Sequence, residues 1–384
     1  MPELQQTDVK ARIADGTISA ISIDTAIFDK YGCNLAHAVL ARLDQFKKGG
    51  VNLILSEIVV KEVTKHIAVA AAETQRELNA ALKRHDRRWG LGKNLAAAKA
   101  EFQLDVDPVK AATEQVTDYL DGVGAEVIPG EGDGDLAAEV LRRYFDVLTP
   151  FESRESKKHE FPDAFALLGL DQAAAARKTL IVCVSPDKGW AAFAAQSEHL
   201  VVVPELDVLL SWFNDPGRHL AEKVVAVWAK GEAKAIEDEI DRGFEYYLDG
   251  LDFDINADAP LDYDVEPISA VLQYIYKDKI SAPSVIAEDE DQLTLSVKVV
   301  AKIGFEAAFS FYARDSIDGD NVSLGSRTPY TEDDLTFDVT LTVSRDMDGD
   351  VIEVLEATVT STKVSADFGY VDPFPDDDPT HEKY

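Results

Sequence analysis

The sequence predicts an α/β protein in two parts: an N-terminal three-layer α/β/α domain with a central parallel sheet, and a C-terminal antiparallel β domain. Short apolar runs alternate with helix-like segments up to about residue 213, whereas apolar and polar residues alternate with period two beyond residue 251. The chain has 384 residues, of which 46% are apolar, so two domains with separate cores are expected.

Five apolar runs predict the parallel strands, at residues 18–23, 51–55, 125–128, 180–184 and 200–203. Helical periodicity between them predicts helices at about 35–48, from 57 onward, and at 109–120, 136–145 and 163–177. The helical pattern after the second strand is longer than one crossover needs. It predicts a helical insertion at about residues 63–122.

Residues 1–215 form the predicted N-terminal domain, which ends at the turn Asn214-Asp-Pro-Gly217. One amphipathic connecting helix is expected over 216–250. Residues 251–384 are the predicted acidic β domain, with strands at 293–301, 305–312, 335–343 and 351–364 and a loose C-terminal tail.

Aspartate-glycine pairs at Asp318-Gly319 and Asp348-Gly349 are typical of hairpin turns. The stretch Asp346–Asp350 is also similar to a calcium loop. Its glycine comes too early for an EF-hand and no glutamate stands at the twelfth position, so a hairpin turn is the better interpretation.

The net charge of −33 opposes general affinity for nucleic acid, but the charge is uneven. Residues 1–215 carry 24 basic and 33 acidic side chains (net −9), and residues 216–384 carry 14 and 38 (net −24). Basic residues gather in the helical insertion, where Arg84, Arg87 and Arg88 are candidate nucleic-acid contacts beside the alternative of an ordinary solvated helix face.

No apolar run is long enough to span a membrane and residues 1–6 do not resemble a signal peptide, so a cytoplasmic protein without membrane contact is expected. The two cysteines, Cys33 and Cys183, are expected to be buried free thiols, because two are too few for a disulfide framework. The histidines at 37, 66, 85, 159 and 199 have no metal-ligand spacing among themselves.

Four acidic residues lie where predicted strands end or helices begin. Asp24 and Asp187 follow the first and fourth strands, Glu62 lies in the helix after the second strand, and Asp163 begins the helix 163–177. Because parallel strands present their carboxyl ends at one edge of a sheet, we expect these carboxylates to converge there.

Each of these acids has an ordinary structural alternative. Asp24 suits a helix cap, Asp163 complements a helix dipole and Asp187 suits a turn. Glu57 competes with Glu62, although its place in the first helical turn also favours a dipole role. As an ordered set, however, the four residues are stronger evidence for a site than any one of them.

This ordered set resembles the PIN-domain nucleases over roughly residues 18–213. The matching motifs are Asp24-Thr25, Ser56-x-x-Val-x-x-Glu62, Phe161-Pro-Asp163-Ala and Ser185-x-Asp187-x-x-Trp190. The resemblance implies that Asp24, Glu62, Asp163 and Asp187 line a catalytic metal site. The stretch from Thr149 through Lys157 to Asp163 is similar to a larger PIN subgroup with a helical insertion after the second strand.

A carboxylate set without His or Cys suits Mg²⁺ or Mn²⁺ rather than Zn²⁺. Thr25 and Ser185 lie close to these carboxylates in the sequence and are expected to orient the metal ligands or the phosphate oxygens. Lys188 is a candidate phosphate contact, with a solvated lysine as its alternative. No glycine-rich phosphate loop and no nucleophile elbow accompany these residues.

The leading hypothesis is therefore a Mg²⁺- or Mn²⁺-dependent endoribonuclease, with RNA preferred over DNA on the resemblance alone. A catalytically weak PIN-fold scaffold or RNA- or protein-binding module is the alternative. A third interpretation is a toxin or phage-defence effector whose acidic C-terminal domain binds a basic partner or inhibitor, or covers the basic helices. The oligomeric state stays open.

Overall fold

The computed structural model describes residues 6–47, 50–90, 92, 94–130, 135–151, 160–214, 217–314, 321–345, 352–361 and 364–374. They belong to two compact units, Met1–Phe213 and Asn214–Tyr384. No helix within these ranges combines the length and the apolar character that crossing a bilayer requires.

A five-stranded parallel sheet organises the N-terminal unit, as predicted. The side chains of the three central strands are almost completely buried, which fits a parallel sheet with helices on both faces. The strands are β1 (Ile18–Ile23), β2 (Asn52–Ser56), β3 (Glu126–Ile128), β4 (Leu180–Val184) and β5 (Leu200–Val203), in the spatial order β3-β2-β1-β4-β5.

The strand order reverses direction at β1. The chain adds β2 and β3 on one side of β1 and then returns to place β4 and β5 on the other side. The backbone N–H of Asp24 donates to the carbonyl of Val184 at 3.0 Å, so the ends of β1 and β4 are joined. In open parallel sheets the loops diverge at such a point and leave a crevice at the carboxyl edge.

Ten α-helices and one 3₁₀-helix of the described residues surround this sheet. The predicted helix 35–48 is instead a single α-helical turn, capped by His37, that continues as the 3₁₀-helix. The helices are α1 (Gln6–Ala14), α2 (Thr25–Lys30), α3 (Ala38–Ala41), the 3₁₀-helix Arg42–Lys47, α4 (Glu57–Trp89), α5 (Asn94–Glu101), α6 (Pro108–Val123), α7 (Leu136–Asp146), α8 (Phe161–Arg177), α9 (Lys188–Ala194) and α10 (Leu206–Phe213).

Helix α4 starts at the site edge of the sheet and accounts for much of the helical insertion. Ser56 caps its first turn by accepting from the Ile58 N–H at 3.2 Å, and Gly90 ends it in the left-handed region, which suits glycine. Its buried side chains, Val59, Val63 and Ala68, all lie in the first half. The second half has no fully buried side chain and is mostly exposed, although Gln75 donates hydrogen bonds to the backbone at Gln103 and Val106.

The C-terminal unit is an antiparallel sheet, as predicted, with two helices packed on it. Strands β6 and β13 depart from this pattern and form a separate parallel pair. The elements are α11 (Arg218–Ala229), α12 (Lys234–Leu248), β6 (Asp254–Asp258), β7 (Asp262–Ile275), β8 (Ser284–Glu288), β9 (Gln292–Arg314), β10 (Asn321–Arg327), β11 (Tyr330–Ser344), β12 (Val354–Thr360) and β13 (Ser365–Tyr370).

The two strands predicted at 293–301 and 305–312 are a single strand, β9. It pairs with β11 and β10 along one edge and with β8 and β7 along the other. Gly304 suggests an interruption in the sequence, yet it lies within the strand. The ring of Tyr330 covers it so closely that a Cβ atom there would clash, which explains the glycine.

The prediction of a single connecting helix over 216–250 is wrong. Gly231 adopts a left-handed conformation between α11 and α12 and so divides the segment into two helices. Trp228, Ile240 and Phe244 are buried against the β-sheet, so both helices belong to the C-terminal core instead of forming a free connector. The stretches 318–319, 346–350 and 375–384, with their predicted turns, calcium-like loop and tail, lie outside the described residues, as do Asp215 and Pro216 of the predicted boundary turn.

Candidate functional site

Asp24 lies at the carboxyl end of β1, where the sheet changes direction. Only 5% of its surface is exposed, and its Oδ2 accepts a hydrogen bond of 2.7 Å from Ser185 Oγ at the end of β4. Although Asp24 precedes α2, its side chain does not cap that helix. Burial, together with the nearby charges of Asp163 and Asp187, raises its pKa to about 7 against the opposing hydrogen bond from Ser185.

Asp163 occupies the first turn of α8 and is half-buried. The indole N–H of the fully buried Trp190 donates to Asp163 Oδ1 at 3.0 Å and thereby fixes the carboxylate. Burial raises the Asp163 pKa to about 6, the negative charges of Asp187, Glu62 and Glu160 add to the rise, and the Trp190 hydrogen bond opposes it. Asp163 is thus close enough to the other predicted acids to interact with their charges.

Glu62 joins this group through α2. Thr25 Oγ1 donates to Glu62 Oε2 at 2.7 Å, which places the glutamate beside the residue that follows Asp24. Its competitor Glu57 faces elsewhere, because it accepts from the Gly130 N–H at 2.8 Å and pairs with Lys61 at 2.6 Å. The rotation of α4 about its axis therefore places Glu62, and not Glu57, in the acidic group.

Asp187 has two structural roles at once. Its Oδ1 caps α9 by accepting from the N–H groups of Gly189 at 2.6 Å and Trp190 at 3.2 Å. Its backbone N–H donates to Ser185 Oγ at 3.1 Å, and its charge acts on both Asp24 and Asp163. The structural role expected as the alternative was a turn; the structure shows a helix cap, which holds the carboxylate at the site.

Two clefts meet at the first turn of α8. One, of about 460 Å³, is lined by Glu160, Asp163, Asp187 and the exposed Lys188. The other, of about 360 Å³, is mainly apolar and is lined by Ile58, Lys61, Glu62, Lys65, Phe161, Pro162 and Phe165. The acidic group therefore borders one polar cleft and one cleft that combines aromatic rings with lysines.

The predicted contacts in α4 lie far from this group. Arg84, Arg87 and Arg88 are exposed in the second half of the helix. Arg84 follows Glu62 by 22 residues, which at 1.5 Å per residue corresponds to roughly 33 Å along the helix axis. A bound chain would have to be several nucleotides long to reach both places.

The donor set fits a hard divalent cation. Four carboxylates from four separate segments gather at one edge of the sheet, and burial, with a smaller contribution from the neighbouring negative charges, raises the pKa values of Asp24 and Asp163. Oxygen ligands without sulfur or nitrogen favour Mg²⁺ or Mn²⁺ over Zn²⁺. Asp24, Glu62, Asp163 and Asp187 are the residues that would hold it.

Sequence reasoning did not assign Trp190, Glu160 or Lys65 to this site. Trp190 and Glu160 belong to the motifs around Asp187 and Asp163, and their fixed spacing from those acids is a usable signal. Lys65 follows Glu62 by three residues and so lies on the same helix face. This spacing could have predicted its position near the site.

These features define a parallel α/β domain with an acidic centre at the carboxyl edge of its sheet. Residues 21–190 match a family model described as the PIN domain, and this range contains all four acids. This part of the chain therefore matches the PIN domain in sequence and has a PIN-like α/β fold. PIN domains are generally nucleases, which hydrolyse phosphodiester bonds and typically use divalent metal ions. Searches of curated proteins and of solved structures found no match.

The pKa of Asp24 predicts a specific loss of stability at neutral pH when no metal is bound. The folded protein holds a proton on Asp24 up to about pH 7, whereas the unfolded chain releases it near pH 3.8. The free energy of unfolding therefore falls as the pH rises between these values. We expect chelator-treated Asp24→Asn to unfold several degrees above the wild type at pH 8 and to lose this advantage at pH 4.

Thermal unfolding followed by circular dichroism across pH 4–8 measures this difference, and groups that do not interact with Asp24 cancel because both proteins share them. Mn²⁺ should raise the unfolding temperature of the wild type at pH 8 far more than that of Asp24→Asn. A difference between the two proteins that does not change with pH would contradict the assignment.

Proposed function

We propose that the N-terminal unit is a metal-dependent endoribonuclease that uses Mg²⁺ or Mn²⁺. The observation that carries the proposal is the convergence of Asp24, Glu62, Asp163 and Asp187 on one edge of a parallel sheet, beside two clefts open to solvent. Asp24 is buried and Asp163 is half-buried near other carboxylates, an arrangement that is costly for a fold and that a bound cation would offset.

The surrounding residues keep the carboxylates in place for phosphodiester hydrolysis. When bound, the cation would neutralise phosphate charge and lower the pKa of a bound water, which would make hydroxide available to attack phosphorus. Ser185 holds Asp24, Thr25 holds Glu62 and Trp190 holds Asp163, each through a hydrogen bond of 2.7–3.0 Å. Such fixed orientation reduces the reorganisation that the reaction requires.

The aromatic and lysine cleft supports a single-stranded substrate. Phe161 and Phe165 line it beside Lys61 and Lys65, and it borders Glu62. Aromatic rings stack on unpaired bases while lysines attract the phosphate backbone, an arrangement used by single-strand binding proteins. The preference for RNA over DNA rests on the resemblance to PIN-domain nucleases.

The C-terminal unit suits contact with a basic partner, since residues 216–384 carry a net charge of −24. Acidic side chains alternate along the exposed positions of β7, including Asp262, Asp264 and Glu266. We therefore propose that this unit limits access of RNA or binds a partner protein or inhibitor, as a toxin or phage-defence effector requires.

Glu62→Gln should reduce Mn²⁺-dependent RNA cleavage by at least about 100-fold, because one charged ligand is lost. Glu57→Gln is the matched control: it changes the same residue type in the same helix, but Glu57 contacts Gly130 and Lys61 instead of the acidic group. It should retain nearly full activity. Cleavage of a fluorescent single-stranded RNA, with a DNA of the same sequence alongside, measures both.

Equal activity of the two variants would contradict the assignment of Glu62. Wild-type protein that neither cleaves RNA nor binds Mn²⁺ in calorimetric titration would favour the scaffold or binding module over the nuclease. If DNA were cleaved and RNA were not, the nuclease proposal would stand and the substrate would be corrected.

Lys65→Ala should weaken binding of single-stranded RNA and lower the dependence of log affinity on log salt concentration by about one unit, because one phosphate contact is lost. Arg87→Ala, roughly 37 Å from Glu62 along α4, should leave the affinity for a short oligonucleotide unchanged. Fluorescence anisotropy in the inactive Asp163→Asn background measures binding without cleavage. Equal losses in both variants would indicate diffuse attraction along α4 instead of a cleft.

A chain truncated after Phe213 should cleave RNA faster than the full chain at low salt, because residues 214–384, with a net charge of −25, no longer repel RNA. The cut must precede α11, since α11 and α12 bury apolar side chains against the C-terminal sheet and would be exposed without it. Initial rates at low and high salt, and growth of cells expressing each form, test this. A folded truncated chain with lower activity would show that the C-terminal unit assists the reaction.

A further inference from the structure

Three side chains of types that bind metal ions lie together away from the acidic site. Cys33 Sγ donates to Asp29 Oδ1 at 3.3 Å, and His66 Nδ1 lies 2.8 Å from the same oxygen. The three donor atoms all lie within 4.8 Å of one another. Asp29 and His66 are exposed, so an ion in solution can reach them, while Cys33 is about 9% exposed.

Two helices and one unusual turn build this cluster. Asp29 and His66 lie on α2 and α4, each four residues beyond the Thr25–Glu62 pair, and so form the next contact along the same helix pair. Gly32 and Cys33 both adopt left-handed backbone conformations, with φ of 61° and 51°, and the Cys33 N–H donates back to the Phe28 carbonyl at 2.8 Å. This turn folds the thiol back over the end of α2.

A left-handed conformation is costly for cysteine, which has a Cβ atom, whereas glycine would adopt it freely. Strained backbone positions that persist are often tied to function. Here the strain has a visible result, because it directs Sγ to Asp29 and His66.

We propose that Asp29, Cys33 and His66 bind Zn²⁺ at a site separate from the acidic centre. Thiolate, imidazole and carboxylate are the common zinc ligands, and sulfur is a poor ligand for the Mg²⁺ or Mn²⁺ that suits the oxygen-only centre. Three protein ligands leave the fourth tetrahedral position to water or to an external ligand. The PIN domain would then hold two kinds of metal ion, selected by two donor sets.

The geometry requires only a small adjustment. Tetrahedral zinc with ordinary bond lengths separates its ligand atoms by about 3.4–3.6 Å, compared with 2.8 and 3.3 Å in the hydrogen-bonded cluster. The protons on Sγ and the imidazole now hold the three groups together. On binding, Cys33 releases one proton to solvent, while neutral His66 moves its proton from Nδ1 to Nε2. The charges of Zn²⁺, thiolate and carboxylate then sum to zero.

A regulatory thiol is the competing interpretation of Cys33. Cys33 is only about 9% exposed and its Sγ is engaged by Asp29, so a reagent in solution has little access to the thiol. The thiol is directed at two other metal-binding side chains, which fits a metal ligand better. The site would join α2 to α4 one helical turn from Thr25 and Glu62.

Co²⁺ provides a spectroscopic test on the full chain, with excess Mg²⁺ present to occupy the acidic centre. One equivalent should produce a thiolate-to-cobalt charge-transfer band in the near ultraviolet. The band should disappear in Cys33→Ser and persist in Cys183→Ala, which removes the other buried thiol. Zn²⁺ affinity, measured against a chromophoric chelator, should fall at least about tenfold in His66→Ala and stay unchanged in His85→Ala on the same helix.

Absence of the band in the wild type, or its persistence in Cys33→Ser, would overturn the proposal. If circular dichroism shows that Cys33→Ser is unfolded, Asp29→Asn and His66→Ala decide by their Zn²⁺ affinity, and unchanged affinity in both would overturn it. The readout does not depend on RNA cleavage, so it remains valid whether or not the nuclease proposal holds.

Discussion

The parallel pairing of β1 with β4 is the constraint on which the site depends. The Asp24 N–H donates to Val184 at the end of that pair, and this contact brings Asp24 within hydrogen-bond distance of Ser185, 161 residues later in the chain. Because β2 and β3 lie on one side of the pair and β5 on the other, the loops separate above it. The crevice thus follows from strand order and is lined by whatever residues end β1 and β4.

The burial of carboxylates at the acidic centre lowers the stability of the fold. Asp24 and Asp163 are buried near like charges, which favours their protonated forms and opposes the charged state that a cation needs. The hydrogen bonds from Ser185 and Trp190 offset part of this cost and also set the orientation of the carboxylates. A bound cation would offset the remaining cost of this partly desolvated acidic group.

The helix pair α2 and α4 extends this organisation beyond the centre. Thr25–Glu62 and Asp29–His66 are successive contacts of one interface, and only the first belongs to the acidic group. The C-terminal unit is organised differently: apolar side chains of β9 and β11 pack in one core with α11 and α12, while acidic side chains lie at exposed positions. Most of the chain's negative charge is thereby displayed on a unit without the metal-site motifs.

The sequence by itself determined the parallel and antiparallel parts, because apolar runs and period-two alternation report burial directly, and the order of the acids indicated the PIN domain. It left Glu57 and Glu62 open, since helix phase relative to β1 depends on packing. The sequence pattern also predicted one helix over residues 216–250. The break at Gly231 and the burial of Trp228 and Phe244 depend on packing against the β-sheet, which the local pattern does not show. Cys33 and His66 have no recognisable spacing, and only the pairing of α2 with α4 and the left-handed turn at Cys33 bring them together. The apolar periodicity of the sequence indicates which residues are buried, whereas contacts between distant segments form only when the whole chain packs.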